Sequence, residues 1–541
     1  MTGADIIAAS LKVAGCSTAF GIPGGEVLAL VDAMSLAGIR FVLTKHENAA
    51  GFMAEGAWHA EATDSNDAAP GILVATLGPG MANAVNVVAN AHQERVPMIF
   101  LTGCVDEAEA ETYTHQVFDH QAVLRPIVKA SFRASAGALA PMMQKALALA
   151  CEGQPGPVHI DLPISVAEGR TTEVPPARIA PPPSLRDTPA AGLDETRALL
   201  AAANRPLVIA GVDALNEGAG DAIAEFCKAA GAPLITTYKA KGLMDESHAL
   251  ALGGAGLSPK ADRILLPLVE ASDFILLAGY DPIEMRTGWR NPWSVETNVV
   301  EIASVPRTHG MHTVSHTLTG GVAPTLKALA QGIASRPGWS DGEPGRARTD
   351  LENAFAAEDA GWGPATVFHA LREALPKTTV ATADSGAHRI LLSQIWRVAK
   401  PRQLLQSAAL CTMGCAVPLA AGYKYKRPDT PVVAFVGDAG LEMGLGELAT
   451  LRDLNLPVII VVLVDASLAL IELKQRSSQR ANAGVDFGES DFPAIAKALG
   501  GHGVWIGDTD TLRREADAAL ARDSFTVLAC RIGRKAYDGT F

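Results

Sequence analysis

Runs of apolar residues alternate with helical patterns along most of the chain. The clearest case starts with the apolar run 432–436, continues through a helical pattern at 441–454, and returns to an apolar run at 456–464. A strand, a helix and a strand in this order predict a βαβ unit, whose parallel strands end at the same edge of a sheet. Asp438 and Asp465 directly follow the two strands, at the edge where open α/β sheets bind ligands.

The same alternation predicts the fold class. We expect an α/β protein of three doubly wound parallel-sheet domains, at residues 1–172, 190–335 and 360–541. Segments 174–189 and 336–348 are rich in Pro, Gly or charged residues and are predicted to be linkers. Outside the βαβ unit, strands are predicted at 40–44, 71–76, 96–102, 206–211, 233–237, 274–279, 298–302 and 379–382.

Composition excludes several classes of protein. With 541 residues, 48% of them hydrophobic and 19% charged, the chain is too long for one core and too apolar to be disordered. Its net charge of −13 argues against a nucleic acid or an anionic membrane as partner. The start of the chain lacks a signal-peptide pattern, and no apolar run approaches the ~20 residues that span a bilayer. The seven cysteines include no Cys-x-x-Cys pair and indicate neither a zinc site nor disulfides, so we expect a cytoplasmic protein.

Asp438 and Asp465 are candidate metal ligands. An aspartate that follows a strand is most often a turn residue or a helix cap when it stands alone. Two such aspartates at one sheet edge are better explained by a hard cation. Mg²⁺ suits the arrangement, because it takes few protein ligands and completes its coordination with water or a phosphate.

Glu47 and the loop at 113–120 are two further candidates for chemistry. Glu47 lies between a predicted strand and a predicted helix at 51–57, where the helix dipole alone favours a carboxylate. Its apolar surroundings also suit it to share a proton with a ring nitrogen, and the residues alone leave both explanations open. In the loop, His115 and His120 suggest a metal site, although the polarity of a surface loop is the commoner explanation.

Together these motifs resemble those of thiamine-diphosphate-dependent enzymes. Residues 437–440 read Gly-Asp-Ala-Gly and are followed by Val464-Asp465, which is similar to a diphosphate-binding signature in which Gly-Asp-Gly precedes Asn-Asn. Glu47 in a His-Glu-x-Ala-Ala setting and the segments 77–80 and 412–414 follow in the family's order. Within the family, the chain is most similar to acetolactate synthases of the catabolic, FAD-independent type. That similarity lies in segments 20–24, 115–116, 238–242, 279–284 and 485–488.

The resemblance implies thiamine diphosphate and Mg²⁺ as cofactors. Glu47 would hydrogen-bond the aminopyrimidine ring, and Asp438, Asp465 and the backbone carbonyl of Ser467 would hold the cation. Cys411 takes the position of a glycine that offers its carbonyl to the cofactor, and its own backbone would serve. The other residues that the resemblance places at the cofactor are Pro23, Pro79, Asn83, Ala387, His388, Met413, Gly437, Ala439, Gly440 and Leu468.

The resemblance also implies a reaction and an assembly. The implied enzyme is a carboligase or lyase and would be classed as a transferase or a lyase. It would decarboxylate a 2-oxo acid donor and join the remaining unit to a carbonyl acceptor through the cofactor. The first domain of one subunit and the third domain of its partner would build each site, so a homodimer is the minimal active unit and a homotetramer is expected. Glu47 and Gln116 are the catalytic candidates. Substrate contacts are expected from Gly24, Glu26, Gln116, Lys129 and Gln475.

Three departures from the family pattern bear on these expectations. Glu26 stands where the catabolic enzymes carry a lysine that meets the substrate carboxylate, and a glutamate would repel that group. Val464 replaces an amide residue that would contact the diphosphate, and residues 279–284 replace a flavin-binding pattern, so no FAD is expected. Two alternatives to a carboligase remain open: a 2-oxo acid decarboxylase that does not ligate, and a cofactor-poor regulatory or scaffolding homologue.

Overall fold

Three parallel sheets organise the structure, a computed structural model that describes residues 1–63, 68–179, 191–283, 285–305, 309–333, 335–357 and 361–541. Each sheet has six strands, and all of the strand pairings are parallel within the described residues. Helices cover the sheets on both faces, which confirms the predicted α/β fold of three doubly wound domains. The predicted domain limits at 190 and 360 lie outside the described residues.

The first domain carries the sheet order β2-β1-β3-β4-β6-β5. Thr2 and Asp5 form a capping box that starts its first helix. The inner strands β4 and β6 are buried along their whole length, as parallel strands covered on both faces must be. Its elements are α1 (Gly3–Val13), β1 (Thr18–Ile22), α2 (Leu28–Leu36), β2 (Arg40–Leu43), α3 (Glu47–Ala62), β3 (Gly71–Ala75), α4 (Pro79–Asn83), α5 (Val85–Gln93), β4 (Met98–Cys104), α6 (His120–Leu124), β5 (Ala130–Arg133), α7 (Leu139–Cys151), β6 (Pro157–Pro163) and α8 (Ile164–Glu168).

The middle domain has the sheet order β12-β11-β10-β7-β8-β9. Its elements are α9 (Leu193–Ala202), β7 (Pro206–Ala210), α10 (Val212–Asn216), α11 (Gly220–Ala230), β8 (Leu234–Thr237), β9 (Ala251–Ala255), α12 (Pro259–Ala271), β10 (Phe274–Ala278), β11 (Asn298–Ala303), β12 (His316–Thr319), α13 (Val322–Ala330) and α14 (Glu343–Ala354). The predicted linker 336–348 is therefore partly helical. Pro344 occupies the first turn of α14, where proline is tolerated because no backbone N–H bond is needed there. Of the other predicted linker, residues 180–189 lie outside the described ranges.

The third domain has the sheet order β14-β13-β15-β16-β18-β17. Its elements are α15 (Pro364–Ala374), β13 (Val380–Ala383), α16 (Ala387–Ile395), β14 (Leu404–Gln406), α17 (Ala416–Lys426), β15 (Val432–Gly437), α18 (Asp438–Met443), α19 (Glu447–Asp453), β16 (Ile459–Val464), α20 (Ala469–Ser477), α21 (Phe492–Ala498), β17 (His502–Ile506), α22 (Thr509–Leu520) and β18 (Thr526–Arg531). The predicted βαβ unit is present, but its helix is two helices. Gly444 and Gly446 interrupt the helical pattern between α18 and α19.

Helices α3 and α17 join the first and third domains at very close range. A Cβ atom on Gly56 would lie 2.1 Å from the carbonyl oxygen of Leu419, and one on Gly422 would lie 2.0 Å from that of Met53. Only glycine allows this approach at both positions. Because Glu47 is the first residue of α3, the contact also fixes where the candidate catalytic carboxylate lies.

A buried ionic network joins the first and middle domains. The ammonium of Lys239, which follows β8, lies 2.8 Å from Glu94 Oε2 and 3.6 Å from Glu55 Oε1. Arg95 pairs with Asp213 and Asp281 at the carboxyl ends of β7 and β10. Burying such charges is costly unless they are paired, and here each cation meets two carboxylates.

Among the described helices, none is long and apolar enough to cross a bilayer.

Candidate active site

Glu47 lies at the carboxyl edge of the first sheet. It opens α3 directly after β2 and is 6% exposed. The side-chain amide of Asn83 donates to Glu47 Oε2 at 3.0 Å. The backbone N–H of Lys45 donates to Glu447 Oε1 of the third domain at 3.0 Å, which anchors the turn before Glu47. The predicted acid is thus held on both sides, by its own domain and by the third domain.

A glycine turn lies between Gln116 and this carboxylate. Gly78 has a φ of +58°, and a Cβ there would lie 2.2 Å from the carbonyl oxygen of Gln116. A Cβ on Gly80 would lie 3.3 Å from Glu47 Oε1, so glycine leaves that oxygen accessible. Pro79 begins α4 between them and is exposed. The turn therefore borders both catalytic candidates, one at each of its glycines.

A second carboxylate faces the same edge. The hydroxyl of Thr76, at the end of β3, donates to Glu26 Oε2 at 2.5 Å. A Cβ on Gly24 would lie 2.3 Å from that hydroxyl oxygen, and the Cγ2 of Thr76 lies on the Gly80 side. Thr76 thus stands between Glu26 and the Glu47 site. The first domain presents two carboxylates and no lysine in this cluster of described residues.

Asp438 and Asp465 lie together at the carboxyl edge of the third sheet, as predicted. Asp438 Oδ1 accepts from the backbone N–H of Ala439 at 2.8 Å. Its Oδ2 accepts from the N–H groups of Asp465 and Ala466, at 3.0 and 2.7 Å. Burial raises the pKa of Asp438, and burial together with the charge of Asp438 raises the pKa of Asp465 to about 7. A divalent cation would offset the repulsion between these two buried carboxylates.

The surrounding loops fit a diphosphate beside that cation. His388 Nε2 lies 2.8 Å from Asp384 Oδ1, and its ring packs against Gly437. Asp384 Oδ2 accepts from the backbone N–H of Gly414 at 2.7 Å, and a Cβ on Gly440 would lie 2.0 Å from the same oxygen. These glycines leave backbone rather than side chains at the edge, as close approach of a phosphate requires.

The remaining predicted residues of the third domain flank this edge. Ala387 starts α16. The N–H of Leu468 donates to the carbonyl of Val485 at 2.8 Å, and the hydroxyl of Ser467 donates to Asp486 Oδ1 at 3.0 Å. Pro23, of the first domain, is exposed after β1, and Met413 lies in the same turn as Gly414.

Cys411 is exposed and has a φ of +58°, the left-handed region that favours glycine. Its sulfur accepts from Arg389 Nη2 at 3.3 Å, and Arg389 is buried. Val464, where the family has an amide, is buried in β16 and offers no polar side chain. Neither Arg389 nor its contact with the thiol was anticipated, because nothing local in the sequence marks it.

Two predicted substrate residues are not gathered with the others in this chain. Lys129 precedes β5, at the amino edge of the first sheet, and its ammonium donates to the carbonyl of Glu152 at 2.7 Å. Gln475 lies on α20 and donates to the carbonyl of Ala483 at 2.9 Å.

The two loop histidines differ from each other. His115 is exposed, as expected for a surface loop. His120 is buried and hydrogen-bonded, so surface polarity is the wrong explanation for it.

Thr76 and Asp161 also belong to the first-domain edge without having been predicted. Their role depends on partners far away in the sequence.

Comparisons with known proteins identify the family of the three domains. The chain matches three family models described as thiamine pyrophosphate enzyme: the N-terminal TPP binding domain over residues 1–123, the central domain over 193–329, and the C-terminal TPP binding domain over 384–530. The two TPP binding domains are those that contain Glu47 and the Asp438–Asp465 pair.

Curated relatives cover nearly the whole chain. The acetolactate synthase large subunit of Parasynechococcus marenigrum (strain WH8102) is 30% identical over 99% of this chain and 88% of its own length. The acetolactate synthase isozyme 3 large subunit of Escherichia coli (strain K12) is 28% identical over 96% and 92%. The catabolic acetolactate synthase of Raoultella terrigena is 27% identical over 97% and 94%. These findings confirm the predicted family and enzyme class, and the chain belongs to the thiamine pyrophosphate-dependent, acetolactate synthase-like carboligases.

Proposed function

We propose that this enzyme decarboxylates a 2-oxo acid and joins the remaining unit to a second carbonyl compound. The observation that carries the proposal is the pair of half-sites on one chain: Glu47 held by Asn83 at the first sheet's edge, and Asp438 with Asp465 at the third sheet's edge. Thiamine diphosphate, when bound, supplies the electron sink for the carbanion.

The residues of the chain have separate tasks in this proposal. Asp438, Asp465 and the carbonyl of Ser467 would hold Mg²⁺, which would neutralise the diphosphate of the cofactor. His388 and the glycines at 437 and 440 line the diphosphate. Met413 supports the cofactor from the apolar side, and the backbone of Cys411 offers a carbonyl to the aminopyrimidine.

Glu47 holds the proton that is exchanged with the pyrimidine ring. Its Oε2 accepts from Asn83, so Oε1, the oxygen beside Gly80, is the one free to carry that proton. Gln116, on the neighbouring turn, orients the substrate carbonyl. Gly24 and Glu26 border the substrate in this proposal. Lys129 and Gln475 are not assigned a substrate contact.

A second copy of the chain completes each site in this proposal. Large apolar side chains are exposed around both half-sites, at 41–67% of their surface. They are Leu28, Leu43, Tyr113, Phe118, Met443 and Ile471. Such a ring of apolar groups around polar half-sites is typical of a surface that a partner covers. We propose a homodimer as the active unit, a homotetramer as the full assembly, and a cytoplasmic location.

The proposed enzyme works without FAD. The carboxyl edge of the middle sheet, where an α/β domain would hold a dinucleotide, carries the Arg95 pairs with Asp213 and Asp281 and the Lys239–Glu94 pair. The cavity lined by Glu94, Lys239 and Asp281 has a volume of about 10 Å³, whereas ligand pockets are on the order of 300 Å³ or more. Glu284, the end of the replaced flavin pattern, lies outside the described residues.

A donor screen tests the proposed function. The chain reconstituted with thiamine diphosphate and Mg²⁺ is given pyruvate, branched 2-oxo acids and aromatic 2-oxo acids, each with and without an aldehyde acceptor. Hydroxyketone or acetolactate-type products support ligation. Aldehyde alone would indicate the non-ligating decarboxylase instead. Absence of saturable cofactor binding in calorimetry would indicate the scaffolding homologue.

A further inference from the structure

A buried chain of hydrogen bonds lies behind the glycine turn of the first domain. His120 starts α6 and is 5% exposed. The backbone N–H of Gly78 donates to His120 Nε2 at 3.0 Å, and His120 Nδ1 lies 2.7 Å from Asp161 Oδ1 on β6. The hydroxyl of Thr102 on β4 donates to the same aspartate oxygen at 2.6 Å. The turn is thereby tied to two central strands of the sheet.

The contacts fix the protonation of the imidazole. A backbone N–H can only donate, so Nε2 must be unprotonated and Nδ1 must carry the hydrogen that points to Asp161. Burial by itself would raise the pKa of Asp161, but the hydrogen bonds from His120 and His159 lower it below its ordinary value overall. His120 is thus a neutral ring held between a carboxylate anion and a peptide N–H, an arrangement that sets its orientation.

This cluster is not a metal site. His120, His159 and Asp161 offer ligand atoms that all lie within 4.8 Å of one another. The nitrogens already have partners, however: His159 Nε2 lies 2.8 Å from Thr102 Oγ1, and His159 Nδ1 lies 2.8 Å from Ser131 Oγ. A cation would break these bonds and the one to Gly78.

The turn that His120 holds and the loop that it contacts both contain a residue with a positive φ. Gly78 has a φ of +58°, and Gln116, four residues before His120, has a φ of +60°. The two backbones touch, since a Cβ on Gly78 would lie 2.2 Å from the Gln116 carbonyl oxygen. On the other side of the turn, Gly80 borders Glu47. One imidazole therefore holds the turn against the loop of Gln116.

We propose that His120 is a positioning residue for the reaction, acting through Gly78 on both Gln116 and Glu47. The inference rests on the proposed roles of Gln116 and Glu47. The imidazole touches neither substrate nor cofactor. Its acceptor nitrogen keeps the turn at the distance that leaves Glu47 Oε1 open and directs Gln116 into the site.

Two substitutions separate positioning from structural support. In His120→Gln, the side-chain carbonyl oxygen replaces Nε2 and can still accept from Gly78, while the bond to Asp161 is lost. In His120→Asn, the shorter amide replaces Nδ1 and can still donate to Asp161, while the bond to Gly78 is lost. We expect kcat on the best donor of the screen to fall about 10-fold or more in His120→Asn and to stay within about 3-fold of wild type in His120→Gln.

Hydrogen exchange gives a readout that needs no substrate. Amide exchange in segment 77–83 of the holoenzyme is measured by mass spectrometry for wild type and both variants, with thermal unfolding as the check that each is folded. We expect protection in wild type and in His120→Gln and faster exchange in His120→Asn. Equal kcat in the two variants, or a higher kcat in His120→Asn, would overturn the proposal. So would an unprotected Gly78 amide in the wild-type holoenzyme, a result that stands even if a variant fails to fold or no donor is turned over.

Discussion

Asn83 donates its side-chain amide to Glu47 Oε2 at 3.0 Å and thereby assigns the two oxygens of that carboxylate different tasks. The bonded oxygen is an acceptor, and Oε1 remains for the proton. Asn86, near the start of the next helix α5, accepts from the Thr412 hydroxyl of the third domain at 3.0 Å. The segment that follows Asn83 is thus tied to the loop that carries Cys411 and Met413.

Replacing Glu47 should abolish turnover without abolishing cofactor binding. Glu47→Gln keeps the shape and the contact with Asn83 but cannot exchange a proton, so we expect kcat to fall about 100-fold or more. Affinity for thiamine diphosphate, measured by calorimetry with Mg²⁺ present, should stay within about 3-fold, because the proposed diphosphate site is on the third domain. Asn83→Ala is the companion variant, with an expected loss of about 10-fold. Full activity of Glu47→Gln would exclude this role for the residue.

Replacing an aspartate of the third sheet should weaken cofactor binding that depends on Mg²⁺. Asp465→Asn removes one charge and one hard oxygen ligand, so we expect the Kd for thiamine diphosphate to rise at least about 10-fold at fixed Mg²⁺. Added Mg²⁺ should recover part of the affinity. Asp510→Asn, an exposed substitution in the same domain, is the control and should bind like wild type. An unchanged Kd in Asp465→Asn would mean that the cation is held elsewhere.

The strand ends could be predicted because parallel strands that are buried on both faces appear in the sequence as continuous apolar runs. The run 456–464 became β16, and Asp465 fell at its end, as predicted. The break between α18 and α19 was not predicted, because the apolar spacing continues through Gly444 and Gly446 although the helix does not.

Contacts between distant parts of the chain could not be predicted from local pattern. His120 looked like a polar loop residue because its partners Gly78 and Asp161 lie 42 and 41 residues away. Arg95 and its two aspartates come from different domains, 118 and 186 residues apart. Nothing in a sequence window signals a pairing that only packing creates.

Glu26 should control which donor the enzyme accepts. Its carboxylate repels the carboxylate of a 2-oxo acid, so Glu26→Gln should lower KM for pyruvate by about 5-fold or more while kcat changes little. Thr76→Val removes the hydrogen bond to Glu26 but keeps the charge and serves as the matched control. The measurement is the steady-state kinetics of both variants and wild type, each reconstituted with the cofactors in the same way. A KM for pyruvate that does not fall in Glu26→Gln would show that this carboxylate does not face the substrate.

The stability of the middle domain should depend on Glu217. Burial, with a smaller contribution from the charge of Asp213, raises the pKa of Glu217 from 4.5 to about 7. A carboxyl group whose pKa is raised in the folded state stabilises the fold fully below pH 4.5, and that contribution is lost as the pH rises through about 7. Glu217→Gln should therefore be more stable than wild type at pH 8, by about 2 kcal/mol after allowance for partial exposure, and should lose this advantage below pH 4.5.

Thermal unfolding of wild type and Glu217→Gln across this pH range measures the effect. Glu225→Gln, an exposed substitution on α11 of the same domain, is the control. A difference in Tm between Glu217→Gln and wild type that stays constant from pH 4 to pH 8 would contradict the assignment.

In the proposed enzyme, Glu47 of one chain and the Asp438–Asp465 pair of a second chain serve the same cofactor. A mixed dimer of Glu47→Gln and Asp438→Asn chains, co-expressed with two different tags and purified through both, tests this arrangement. Each homodimer should be inactive. The mixed dimer has one site with both substitutions and one site with neither, so it should show about half of the wild-type activity. A mixed dimer as inactive as its two parents would mean that each site is built within one chain, and the account would fail.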